Sequence, residues 1–278
     1  MSVQQRVAWS ARGVSAAMVL LAAGSASAGQ QPLWELGAGV GGLRLPHYRG
    51  SDQSHNWLLP VPYVVYRGKI FKADREGARA VLFESQRVHF DLSLAASAPT
   101  RSEDNRARQG MPDLVPTVEF GPNLNLRLAD GAGWKLELRA PLRAALTVES
   151  NPRAVGWIAS PNLNLDLRRG DGWNIGMQLG VLLADRRFNG FFYDVDASQA
   201  TAQRPAYRAP AGYGGTQWTL AASRRFDNHW VGAFARLDDL SGARFADSPL
   251  VRERSHLAVG IAVAWVFGRS STMVDVDE

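Results

Sequence analysis

Several residues in this chain have the types, if not always the spacing, that chemistry would need. Asp238-Asp239 sets two carboxylates side by side, as an acid–base pair in a hydrolase would require, and Ser255-His256 sets a nucleophile beside a base. The first pair sits at a strand end, where neighbouring acids are ordinarily solvated. The second is ruled out by geometry, because adjacent residues on a strand face opposite sides and cannot form a hydrogen-bonded dyad. The five histidines, His47, His55, His89, His229 and His256, include no pair at metal-ligand spacing, and the chain has no cysteine to complete a zinc site. Tyr193-Asp194-Val195-Asp196 offers carboxylates to calcium but lacks the glycine turn and the further acid of a calcium loop. A packed tyrosine among loop carboxylates fits that stretch better. Gly37-Ala-Gly39-Val-Gly41-Gly42 contains G-x-G-x-x-G, yet Leu43-Arg-Leu-Pro46-His-Tyr48 follows where a phosphate-binding helix would have to begin. Glycines that relieve crowding on one face of a strand are the simpler reading. No catalytic residue, cofactor or metal is expected.

One charged constellation is regular enough to demand an element. Glu119, Arg127, Lys135, Glu137, Arg139, Arg143, Asp166 and Arg168 fall on alternate positions of long runs, each opposed by apolar neighbours. In the clearest run, Trp134, Leu136, Leu138, Ala140, Leu142, Ala144 and Leu146 alternate with Lys135, Glu137, Arg139, Pro141, Arg143, Ala145 and Thr147. A strand sends successive side chains to opposite faces, so a period of two makes one face greasy and the other charged. Leu114 to Leu128, Trp157 to Leu167 and Trp173 to Leu183 repeat the pattern. Soluble strands average about 5–6 residues. Dyad strands long enough to cross roughly 25 Å of lipid on a tilted path specify a transmembrane β-barrel, with the charges on the lumen face. Interleaved charges of both signs in a narrow lumen pair with one another, which predicts a closed bore.

The ends of the chain agree. Arg6 and Arg12 precede an apolar stretch from Val14 to Ala23, and Ala26-Ser27-Ala28 supplies a cleavage site, so residues 1–28 read as a signal peptide. The barrel is expected over 29–267, followed by a short free periplasmic tail, 268–278. The mean hydropathy of −0.18 suits half-apolar, half-polar strands. Without Arg6 and Arg12 the chain carries 29 basic against 26 acidic residues, or +3. These charges are scattered singly, which excludes a nucleic-acid surface despite the sequence pI of 9.9.

Turn chemistry divides the mature chain into twelve strands, with ten the alternative because the third and fourth strands, over 69–84, carry the weakest pattern. Placing the N-terminus in the periplasm puts the long connections 46–56, 97–112, 186–212 and 239–254 outside and the tight turns inside. Trp34, Trp57, Trp134, Trp157, Trp173, Trp230 and Trp265 lie near strand ends, as an interfacial belt requires. Leu114 is assigned to a lipid face. Pro99–Arg108 reads most simply as a solvated outer loop, with lipopolysaccharide phosphates a further partner open to its basic residues.

Short motifs then run the length of the barrel. They are Gly37-x-Gly39, Pro46-x-Tyr48-x-Gly50-Ser51-Asp52, Pro60-x-Pro62-x-x-x-Tyr66, Phe192-Tyr193-Asp194-Val195, Arg204-Pro-Ala-Tyr207, Gly212-Tyr213 and Leu240-Ser-Gly242 with Asp247-Ser248-Pro249-Leu250-Val251. In this order and spacing they resemble the MipA/OmpV family of outer-membrane proteins. The resemblance implies an outer-membrane barrel and, for the member that names the family, a scaffold. That member links a lytic transglycosylase to a bifunctional penicillin-binding protein in murein synthesis. Other members are described as adhesins or osmotically regulated proteins, and no catalytic residues are carried over. A scaffold is therefore the expected role, with a narrow channel or surface adhesin as alternatives.

Overall fold

The computed structural model describes residues 30–68, 71–74 and 77–275. The leader over 1–28 and the last three residues lie outside them. The wall consists of β2 (Trp34–Pro46), β3 (Ser54–Arg67), β4 (Phe71–Asp74), β5 (Gly77–Glu84), β6 (Val88–Ser97), β7 (Thr117–Gly131), β8 (Trp134–Thr147), β9 (Ala154–Ala159), β10 (Asn162–Arg168), β11 (Trp173–Ala184), β12 (Gly212–Arg225), β13 (His229–Asp239) and β14 (Ser255–Arg269). Each pairs antiparallel with its neighbour, and β14 pairs with β2, which closes the sheet. Both β8 and β11 pair with β9 and with β10, so these two are one wall strand broken at Ser160-Pro161. Counted this way, the described residues form a wall of twelve strands. No helix among the described residues is long and apolar enough to cross a membrane; the crossing is made by strands.

Closure needs close approach at the seam. A Cβ at Gly37 or Gly39 would collide with the backbone carbonyls of Trp265 or Val263 on β14. The glycine repeat thus serves the contact between first and last wall strands, and no helix follows it.

The alternation sorts faces as the period of two requires. On β8, Trp134 and Leu142 face outward and Glu137, Ala145 and Thr147 are buried inside. On β7, Phe120, Leu124 and Leu128 face outward, whereas Thr117 and Asn125 are buried. Leu114 departs from this pattern. The strand begins at Thr117, and Leu114 is buried in a cluster of outer-loop residues, because a lone bridge to Thr100 turns it inward.

Two further expectations are corrected. Trp230 is 1% exposed inside the barrel and belongs to no lipid belt, since it shares its parity on β13 with Gly232, Arg236 and Asp238. Nor is the C-terminal segment free. β14 runs past Phe267 to Arg269, and β15 (Met273–Asp275) pairs with β1 (Gln30–Pro32) in a two-stranded ribbon at the periplasmic end. Leu33 N–H donates to the Thr272 carbonyl at 2.8 Å, so the ribbon ties both ends of the wall together.

Candidate functional site

The lumen is filled in two ways. From β6 round to β11 it is polar. Lys135 and Arg139 each lie 2.8 Å from Glu137, and Arg139 reaches Asp166 at 3.5 Å. Asn164 Nδ2 donates to Asp166 at 2.8 Å, and Asn125 Nδ2 to Asp91 at 2.7 Å. Arg143 donates to Ser93 and Ser160 hydroxyls and lies 3.8 Å from Glu119. The structure therefore joins Lys135, Glu137, Arg139 and Asp166 in one network and pairs Glu119 with Arg143 in a second. Arg127 faces Glu137 in the strand register, but its Nε has no hydrogen-bond partner. Arg168 lies at the periplasmic end of β10. The asparagines and Asp91 share the lumen parity of the expected charges, and that parity was the signal for them.

The opposite sector is dry. Val61, Tyr63 and Val65 of β3, Trp230 of β13 and Ala262, Ala264 and Val266 of β14 form one buried cluster inside the barrel. The small residues on β2 and β14 make room for the Tyr63 and Trp230 rings, whose centroids are 6.2 Å apart. Below this cluster, Glu35 accepts from Arg67 at 2.8 Å and from Arg225 at 3.1 Å.

Above, the four long outer connections fold onto one another as a cap. Tyr48 Oη donates to the Leu250 carbonyl at 2.8 Å, Tyr193 Oη to the Arg49 carbonyl at 2.9 Å, and Ser248 Oγ to the Tyr193 carbonyl at 2.8 Å. Tyr193, which ends α1 (Arg186–Tyr193), stacks on Phe245 at 3.8 Å. Burial pushes the phenols of Tyr48 and Tyr193 above their usual range. Arg204 ties its own loop to the 98–116 connection through the Ala107 and Gln109 carbonyls. Arg108, lying over the Tyr48 ring, is lowered to about 10, first by burial. Gly50 has φ of 92°, a conformation that favours glycine, and packs against Leu240. Asp194 and Asp196 are held by Arg208 at 3.2 and 2.6 Å, the arrangement of loop carboxylates expected around Tyr193.

The motif residues thus separate by place. Tyr48, Gly50, Tyr193, Ser248 and Leu250 build the cap, with Pro249 in the same turn and Tyr207 packed against it. Pro46 ends β2, Gly212 opens β12 with φ of 123°, and Pro60 and Pro62 face outward on β3.

Asp238 is not solvated. It is 0% exposed, and Arg49, Arg236, Gln217 and His256 surround it at 2.9, 3.0, 3.0 and 3.3 Å. Asp239 and Ser255 lie on the other parity. Asp238 alone is therefore an ion hub joining cap to wall. Between cap and floor lies a cavity of about 470 Å³, lined by polar side chains of the wall and by Phe188, Phe192 and Phe245.

A closed antiparallel wall with an apolar outer band, a paired lumen and long connections at one end defines an outer-membrane β-barrel of bacteria. Residues 38–267 match the family model described as MltA-interacting protein MipA, and the chain belongs to that family. No curated protein sequence matches it. Among solved structures it is similar to the toluene transporter TbuX of Ralstonia pickettii, at 10% identity and a TM-score of 0.34 over 86% of this chain and 89% of that one. It is also similar to the outer membrane protein OprG of Pseudomonas aeruginosa, at 15% and 0.22 over 65% and 90%. A TodX deletion mutant, a monoaromatic hydrocarbon channel, aligns at 10% and 0.29 over 87% and 91%.

Proposed function

We propose that this protein is a non-catalytic outer-membrane anchor that docks a periplasmic lytic transglycosylase, with a penicillin-binding protein as second partner in murein synthesis. The family match over residues 38–267 carries this reading. The filled lumen supports it, since an aqueous conduit would keep its lining wet, whereas Trp230, Tyr63 and Val65 are dry. The leader over residues 1–28 directs export and is removed after Ala28. At the periplasmic end the β1–β15 ribbon, backed by the buried Glu35–Arg67–Arg225 cluster, gives a partner a ledge of paired backbone. On the outer face, the exposed guanidinium groups of Arg101 and Arg106 support lipopolysaccharide phosphates as a further partner.

The test is retention of a purified lytic transglycosylase on the immobilised, detergent-solubilised barrel. Retention is expected at low salt, weakening as salt screens the carboxylates of Asp275, Asp277 and Glu278. Deleting residues 270–278 removes β15 and should lower retention severalfold. No retention by the folded intact barrel would overturn the proposal.

A further inference from the structure

The cavity under the cap holds two charges that the rest of the barrel matches only loosely. Of the arginines along its wall, Arg49 and Arg236 are committed to Asp238, and Arg139 to Glu137 and Asp166. Glu119 differs. It accepts no hydrogen bond among the described residues, and its one ion-pair partner there, Arg143 Nη1, stands 3.8 Å away, beyond hydrogen-bond reach. Arg143 donates through Nε and Nη1 to the Ser93 and Ser160 hydroxyls, which leaves Nη2 unengaged among the described residues. Both side chains line the cavity and keep accessible surface, 12% for Glu119 and 18% for Arg143. A carboxylate set this deep without a donor is costly, and so is a guanidinium corner without an acceptor.

The apolar part of the cavity adjoins this pair. In the strand register Glu119 faces Ala145, and Ala145 faces Gly156, so the next two inward positions along that row are small. Gly156 lets α1 settle against the wall, since a Cβ there would lie 2.6 Å from the Phe188 backbone nitrogen. Phe188 and Phe192, with ring centroids 5.3 Å apart, line the cavity beside Phe245. Two residues lower on β8 than Ala145, Arg143 registers with Ile158, which lines it too. An anion and a cation thus stand side by side at the edge of an apolar hollow.

The volume of about 470 Å³ lies in the range of small-molecule sites. A ligand that completes this one needs a donor for Glu119, an acceptor for Arg143 and an apolar body. It also needs both charges, because a ligand carrying one alone would leave the other member of the pair unanswered in a desolvated place. A free α-amino acid meets all three conditions. Its ammonium and carboxylate flank a single carbon, which suits protein groups 3.8 Å apart, and its side chain projects away from both. The Arg139 network and the Trp230–Tyr63 cluster close the barrel below, so such a ligand comes from the outer face.

We propose that the capped cavity is a binding site for an α-amino acid with a large apolar side chain. The ammonium pairs with Glu119, the carboxylate with Arg143, and the side chain lies against Phe188 and Phe192. The site stands apart from the periplasmic ledge, so retention of a lytic transglycosylase should be unchanged in Glu119→Gln.

Isothermal titration calorimetry of the purified, detergent-solubilised protein tests this with L-phenylalanine as the probe and protein-free micelles as the blank. Saturable one-to-one binding is expected, at least tenfold tighter than for phenethylamine, which lacks the carboxylate, or phenylacetate, which lacks the ammonium. Glu119→Gln should weaken L-phenylalanine at least tenfold and abolish its advantage over phenylacetate. Phe188→Ala should weaken it severalfold. Heat-modifiable gel mobility identifies the variants that are folded, and if Glu119→Gln is not among them the two analogues decide on the parent alone. No saturable binding to the folded parent overturns the site, and equal binding of either analogue overturns recognition by the charge pair. Unchanged binding in folded Glu119→Gln overturns the role of that carboxylate, and unchanged binding in folded Phe188→Ala overturns the aromatic wall.

Discussion

The two halves of the lumen solve the same packing problem with opposite chemistry. From β6 to β11 the inward positions carry Glu119, Glu137, Arg139, Arg143 and Asp166, held together by ion pairs and amides. Across β2, β3, β13 and β14 they carry glycine, alanine and valine around Tyr63 and Trp230. A polar lumen is inexpensive only while every charge keeps a partner, and an apolar one only while it stays full. The comparison therefore teaches that the inside of this barrel is a core in both sectors, and that each sector fails in its own way.

Emptying the dry sector should cost most. Trp230→Ala leaves a cavity beside Tyr63 and should destabilise the barrel by about 3–5 kcal/mol, read as an earlier unfolding midpoint in urea. On the lipid side of the polar sector, Leu142→Arg should cost about 2–4 kcal/mol and reduce assembled barrel on heat-modifiable gels. Its neighbour Arg143→Leu, on the lumen face, should still assemble, and equal tolerance of the two would undo the assignment of faces. In the cap, Tyr193→Phe removes the bond to the Arg49 carbonyl but keeps the stack on Phe245, a loss of about 0.5–1.5 kcal/mol.

The smallest effect is set by pH. Burial, and then the neighbouring His55, hold the His47 ring below its ordinary value of 6.5, and its Nδ1 faces Asn105 Nδ2. The folded state therefore binds this proton less readily than the unfolded chain. The stability concerned is present above about 6.5 and is lost as pH falls through the lowered value. Hydrogen exchange in residues 98–116, corrected for intrinsic rates, should quicken on acidification, and His47→Gln should flatten that dependence.

The sequence was most legible where one face is polar. On β7 to β11 alternation alone separates lipid from lumen, and Lys135, Glu137, Arg139 and Asp166 meet at 2.8 to 3.5 Å, whereas Arg127 Nε has no hydrogen-bond partner. It was least legible where both faces are apolar. On β3, Val61, Tyr63 and Val65 face inward and Leu58, Val64 and Tyr66 outward, so hydropathy carries no sign of which is which. Trp230 reads as a belt residue because it is an aromatic near a strand end, yet its parity with Arg236 and Asp238 points inside. The β1–β15 ribbon leaves no signal in the sequence, because three-residue strands have no periodicity. The cap motifs were visible as residues, but their convergence depends on contacts as distant in sequence as Tyr48 with Leu250.

Planar-bilayer recording of the purified protein tests most directly the claim that both sectors are packed shut. The account predicts a silent membrane at ordinary salt, with conductance appearing in Trp230→Ala if that variant assembles. Large, stable single-channel steps from the unmodified protein would contradict it.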